Sequence, residues 1–151
     1  MKIAVLGAGA WGTAVAIHAA RRHQVSLWAR TAEHAQEMLA QRTNARYLQG
    51  IAMPAAMQVF AGVADAEAVA EYDLVVLAAP VAGLREQLTA LRGSQVPLVW
   101  LCKGFEHVQS GADYGLLPHE VLAQVDPHLL AGVFSGPSFA QEVARQQPTA
   151  M

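Results

Sequence analysis

Gly7, Gly9 and Gly12 stand in G-x-G-x-x-G spacing, directly after the apolar run Ile3-Ala4-Val5-Leu6 and directly before an Ala-rich stretch, Thr13 to Arg22. Glycines so spaced can cradle a pyrophosphate. Gly7 permits a tight turn, Gly9 lets the backbone approach the phosphates with no Cβ in the way, and Gly12 lets helix and strand pack closely. The helix that follows would present unpaired N–H groups and the positive end of its dipole to the anion. The bare fingerprint is weak, and a glycine-rich turn without a ligand is the plain alternative. A strand before it, a helix after it and a second strand beyond make it far more specific.

That second strand is Gln24 to Trp28, and its end carries the next informative group. A dinucleotide domain that prefers NAD usually places Asp or Glu here, on the ribose 2′-hydroxyl. This chain has Ala29-Arg30-Thr31 instead. Arg30 offers a planar cationic fork suited to a 2′-phosphate and able to stack on adenine. The other reading is a solvated arginine at a helix start. The position favours acceptance of NADP, and exclusion of NAD does not follow.

The elements that must position these groups alternate along the chain. Thr31 is placed to cap a helix running to about Gln41, with Glu33 in its first turn. Residues 42–54 show no clean period and read as a long loop of the kind that is often functional. Within it, Tyr47 either lies near the adenosine end or packs the loop down. Met57 to Phe60 reads as a third strand, Asp65 to Ala70 as a short helix, and Tyr72 to Pro80 as a fourth strand ended by its proline. Val81 to Leu91 is predicted helical with Leu84, Leu88 and Leu91 on one face. Pro97 to Cys102 is a fifth strand, Pro118 to Val125 a helix opened by its proline, and Leu129 to Ser135 a sixth strand. A turn through Gly136 to Phe139 leads into a last helix, Ala140 to Gln146. Short right-handed crossovers of this kind give an α/β fold: a doubly wound, mostly parallel Rossmann-type sheet with helices on both faces. Gly7 to Gly12, Lys103-Gly104 and Gly136 to Ser138 each follow a predicted strand at once, so all three should share one edge of the sheet.

Composition narrows the class. The chain has 151 residues, of which 54% are hydrophobic and 15% charged, which suits one domain with apolar strands. A net charge of −2 gives no reason to expect nucleic acid. No apolar run reaches bilayer-spanning length, so no membrane insertion is expected. The single cysteine, Cys102, cannot form an intrachain disulfide and fits a reducing, cytoplasmic setting. It reads as a structural thiol. The six histidines show no metal-ligand spacing, and no metal site is expected. Trp28 and Trp100 read as core residues, whereas Trp11 lies inside the glycine turn, where it would cover a cofactor or meet another domain.

G-A-G-A-W-G-T-A at 7–14, L-W-A-R at 27–30, A-A-P-V-A-G-L-R-E at 78–86, C-K-G-F-E at 102–106 and S-G-P-S-F-A-Q-E-V-A at 135–144 follow one another along the chain. In that order they resemble the bacterial NAD(P)-dependent glycerol-3-phosphate dehydrogenases, over essentially the whole sequence. The resemblance implies an oxidoreductase that reduces dihydroxyacetone phosphate to sn-glycerol 3-phosphate, at the entry to glycerophospholipid synthesis. It implies cofactor contacts (NADP or NAD) at Gly7, Gly9, Ala10, Trp11, Gly12, Thr13, Arg30, Lys103 and Ala140. Substrate contacts fall on Lys103, Gly136 and Ser138. These roles are chemically reasonable: Lys103 is a flexible point charge for a developing oxyanion. Ser138 can offer a hydroxyl and an N–H, or serve as the N-cap of the last helix.

Family members are about twice as long, and their helical C-terminal domain supplies a second lysine as general acid. The sequence closes on Pro148-Thr149-Ala150-Met151, as if a further strand were beginning. Residues 1–151 are therefore expected to be the cofactor-binding domain, binding NADPH without turnover by themselves. With a partner domain removed, exposed apolar surface would favour self-association as a homodimer. Two other functions fit the same fold: a different two-domain hydroxy-acid dehydrogenase, or a stand-alone NAD(P)-binding module.

Overall fold

The structure, a computed structural model, describes residues 1–107, 115–136 and 138–148. Pro137 of the expected turn and the closing Thr149-Ala150-Met151 lie outside the described residues. The first half runs β1 (Lys2–Leu6), α1 (Ala10–Ala19), β2 (Gln24–Ala29), α2 (Ala32–Gln41), β3 (Thr43–Asn44), β4 (Leu48–Ala52) and β5 (Gln58–Ala61). The second runs β6 (Leu74–Leu77), α3 (Val81–Ala90), β7 (Leu98–Trp100), α4 (Pro118–Val125), β8 (Ala131–Val133) and α5 (Ala140–Ala144). Six strands form one sheet in the order β5-β2-β1-β6-β7-β8, and every pairing in it is parallel. This is the doubly wound Rossmann-type topology that the alternation of elements predicts. The order reverses between β1 and β6, where Val5 pairs with Leu27 on one side and Val76 on the other.

Successive residues of a strand face opposite sides, and β1 therefore feeds two cores. Ile3 and Val5 join Ala14 and Ile17 of α1, Met38 of α2 and Val143 of α5. Ala4 and Leu6 join Leu84 and Leu88 of α3, Val121 of α4, and both Trp28 and Trp100. Leu84, Leu88 and Leu91 are all buried, as their spacing predicts. Each contributes about 2 kcal/mol by removal from water.

Three expectations are corrected. Residues 42–54 are not an open loop: β3 and β4 pair antiparallel, with a register shift between Thr43 and Asn44 that hides any two-residue alternation. Arg42 ends α2 in the left-handed region at φ 51° and donates to the carbonyls of Pro54 and Met57, which pulls the hairpin back on itself. Asp65 to Ala70 forms turns rather than a helix, begun by the Asp65 carboxylate accepting from the Ala68 N–H at 2.9 Å. The first helix starts three residues earlier than its alanine run, at Ala10, because the glycine turn itself supplies the first turn.

Candidate functional site

Gly7 adopts φ +123°, a conformation that side chains rarely tolerate, and a Cβ there would lie 2.9 Å from the Ala78 carbonyl carbon. A Cβ on Gly12 would collide with the Gly7 carbonyl and come within 2.8 Å of Ala78 Cβ. These two glycines bring β1, α1 and the end of β6 together. Gly9 is different. Its backbone is extended (φ −74°, ψ −175°), and a Cβ there meets nothing within 4 Å. The fold does not require glycine at 9, and the space left open lies at the uncapped start of α1, with no acidic side chain in its first turn. An open cradle before a helix dipole fits a pyrophosphate.

The glycine turn is held from behind by residues that sequence reasoning did not single out. Asn44, 1% exposed, donates from Nδ2 to the Ala8 carbonyl at 2.9 Å and to Thr13 Oγ1 at 2.7 Å. With both N–H bonds so used, its Oδ1 accepts from His34 Nε2 at 3.0 Å, which fixes the protonated ring nitrogen. Thr13 is fully buried, and its own N–H donates to the Gly9 carbonyl at 3.0 Å. Its side chain thus serves the turn from inside and does not face the cradle.

Arg30 is exposed directly after β2, and Thr31 caps α2 by accepting from the His34 N–H at 3.3 Å, as predicted. Arg46 on the adjacent hairpin is committed to Glu37 and Glu33, at 2.6 and 2.9 Å, and these hydrogen bonds raise its pKa above the ordinary value. Among the described residues no ion pair engages Arg30. Tyr47 stands edge-on to His34, with ring centroids 5.5 Å apart, and is 57% exposed beside this end of the sheet. The contact with His34 joins the hairpin to α2, and the exposure leaves much of the Tyr47 ring open to solvent.

Across the crevice, Leu101 donates to the Leu77 carbonyl and Phe134 to the Trp100 carbonyl, so the loops after β6, β7 and β8 leave the sheet side by side. Lys103 Nζ donates to the Gly136 carbonyl at 3.1 Å. Two loops 33 residues apart in sequence are brought to one point. Ser138 follows on the same turn, and Ala140 opens α5, which packs against α1 with Ala10 and Trp11 beside the same core. The N-cap of α5 is Phe139, not Ser138: Glu142 reaches back to accept the Phe139 N–H at 2.9 Å. From β2 to β8 the edge presents, in spatial order, Arg30, the glycine turn, Ala78 to Pro80, Lys103 and Gly136. Four strand spacings make this row about 19 Å long. Among the described residues no three His, Cys, Asp or Glu side chains gather as a metal site would require. Cys102 is half-buried against the second core, and that burial pushes its thiol pKa up.

A row of this shape sits where open parallel sheets take dinucleotides, and the comparisons agree. Residues 2–151 match the family model described as NAD-dependent glycerol-3-phosphate dehydrogenase N-terminus. The chain belongs to that family. It is 57% identical over 154 aligned residues to the glycerol-3-phosphate dehydrogenase (NAD(P)+) of Variovorax paradoxus strain S110, covering 100% of this chain and 45% of that relative. It is 58% identical to the corresponding protein of Acidovorax sp. strain JS42, over 100% of this chain and 45% of that relative. Among solved structures, glycerol-3-phosphate dehydrogenase from Coxiella burnetii superposes with a TM-score of 0.83 at 31% identity, over 98% of this chain and 44% of that one. The chain thus spans somewhat under half the length of these glycerol-3-phosphate dehydrogenases. No helix among the described residues is long and apolar enough to cross a membrane.

Proposed function

We propose that this chain is the coenzyme-binding half of an NAD(P)-dependent dehydrogenase that reduces dihydroxyacetone phosphate to sn-glycerol 3-phosphate. The observation that carries the reading is the ordered row along the carboxyl edge, from Arg30 through the open cradle at Gly9 to Lys103 on Gly136. The α1 N-terminus, with the backbone of Gly9, Ala10 and Trp11, holds the pyrophosphate. Arg30 takes the adenosine end and favours a 2′-phosphate, so NADP is accepted along with NAD. Ala140, the first residue of α5, would line the coenzyme site as well. The bound nicotinamide supplies the hydride.

Lys103 holds its ammonium where the carbonyl oxygen or phosphate of the substrate arrives, with Gly136 and Ser138 lining the same turn. Proton delivery to the developing alkoxide calls for a general acid. We assign it to a lysine in the part of the relatives that this chain does not span, together with most of the phosphate pocket. The setting is the cytoplasm, at the start of glycerophospholipid synthesis.

The test is spectrophotometric. A chain of the relatives' full length that carries residues 1–151, the full-length chain of the tests below, should oxidise NADPH in the presence of dihydroxyacetone phosphate, and residues 1–151 alone should bind NADPH without turning it over. Steady-state reduction by residues 1–151, or no reduction by the full-length chain, would overturn the reading.

A further inference from the structure

Arg85 and Glu106 carry none of the coenzyme or substrate roles assigned above, yet among the described residues they form the ion pair with the most hydrogen bonds. Arg85 Nε donates to both Glu106 oxygens, at 2.9 and 3.1 Å, and Nη2 donates to Oε2 at 2.7 Å. The same Nη2 donates to Gln124 Oε1 of α4 at 2.8 Å. The Glu106 side chain is 14% exposed and that of Arg85 39%, so the carboxylate end of the pair is the shielded one. Its backbone is pinned as well, exchanging hydrogen bonds with Leu116 at 2.8 and 3.0 Å. Glu106 follows Lys103 by three residues, and the Lys103 loop is otherwise tied to the sheet where Leu101 donates to Leu77.

We infer that Arg85 and Glu106 are positioning residues for Lys103: a strut from α3, beside the β1/β6 crevice, that sets how far the Lys103 loop reaches toward Gly136. The inference rests on the proposed role of Lys103. A bidentate guanidinium–carboxylate pair fixes both distance and angle, which a lysine at 85 cannot reproduce. Misplacing a reacting group by about 1 Å can cost roughly 100-fold in rate. Among the described residues, the hydrogen bonds that hold the glycine turn from α1 and the β3–β4 hairpin do not involve Arg85 or Glu106.

The experiment is a double-mutant cycle in the full-length chain with R85A, E106A and the pair, supplemented by R85K and the isosteric E106Q. Each alanine variant is expected to lower kcat/KM for dihydroxyacetone phosphate by about 10- to 100-fold, with the double variant no worse than the poorer single. NADPH affinity, read by fluorescence titration, should stay within about twofold, and R85K should recover only part of the loss. Losses that multiply, unchanged kinetics, or NADPH affinity and Tm that fall in step with activity would overturn the strut. Should an alanine variant fail to fold, E106Q and R85K decide by the same criteria. If the wild-type full-length chain does not reduce dihydroxyacetone phosphate, the functional reading fails. The strut is then judged by acetylation of the Lys103 amine, located by peptide mass. A faster rate in R85K and E106Q supports it, and an unchanged rate overturns it.

Discussion

One buried carboxamide grips the glycine turn at two points: Asn44 Nδ2 lies 2.7 Å from Thr13 Oγ1 and 2.9 Å from the Ala8 carbonyl oxygen. The hairpin that carries Asn44 is therefore a structural part of the glycine turn.

Replacing Asn44 by alanine leaves the Ala8 carbonyl, the Thr13 hydroxyl and the His34 ring N–H without their partner. An unsatisfied buried group costs about 1–3 kcal/mol, so Asn44→Ala is expected to lose about 3 kcal/mol of stability and roughly 10 °C in Tm. Asn44→Asp should do no better, because a carboxylate cannot donate to Ala8 or Thr13. Thermal unfolding of both variants checks this. A change under about 2 °C, the scatter expected for a surface substitution, would remove Asn44 from the account.

Gly12 and Gly9 should separate in mutagenesis. Gly12→Ala drives a methyl into the Gly7 carbonyl and is expected to prevent stable folding. Gly9→Ala meets open space and should fold with near-native Tm, while NADPH affinity falls by about tenfold or more. Circular dichroism and coenzyme titration of the two variants are the measurements. Unimpaired NADPH binding by Gly9→Ala would move the pyrophosphate elsewhere.

Much of this was legible in the sequence because it is local. The order of strands and helices, the Thr31 cap, the leucine face of α3 and the three clusters at strand ends follow from spacing and residue type. Asn44 was not legible, since its partners lie 10, 31 and 36 residues away and the bulged pairing of β3 with β4 erases any period. Arg85 and Glu106 escaped for the same reason: two charged residues 21 apart show no relation until α3 and the Lys103 loop are placed together. The cap of α5 falls on Phe139, one residue past the Ser138 alternative, because a glutamate reaching back can serve a non-polar N-cap that side-chain preference would pass over.

Arg30 is expected to act on one coenzyme more than the other. Arg30→Ala should raise the Kd for NADPH by about tenfold, the worth of one charge-assisted hydrogen bond to a phosphate. NADH binding should change little. Parallel titrations of the full-length protein check both. Equal NADPH affinity in wild type and variant would end the 2′-phosphate role.

Cys102 gives a pH test with a single reactive site, since the chain holds one cysteine. Burial raises its thiol pKa, so the thiolate fraction at any neutral pH is smaller than for a free cysteine. Iodoacetamide labelling at pH 7 should be slower than in the unfolded chain, and its pH midpoint should lie above about 8.5. A folded-state midpoint at or below that of the unfolded chain would contradict the burial effect.

Val133 at 64% and Phe139 at 72% exposure lie close together in sequence, in β8 and just before α5. Residues 1–151 alone are expected to self-associate through exposed apolar side chains such as these, as homodimers in sedimentation, with Val133→Lys and Phe139→Ser shifting them to monomers. A monomer at all concentrations in the unmutated chain would refute this.

The spatial order of the strands carries a consequence for retargeting. Arg30 leaves β2 and Lys103 leaves β7, three strand positions apart on the same edge, with the crevice between them. On the roles proposed for Arg30 and Lys103, coenzyme preference falls at the end of β2 and substrate chemistry at the end of β7, with a neutral middle between them. An engineer, or selection, can exchange one without rewriting the other.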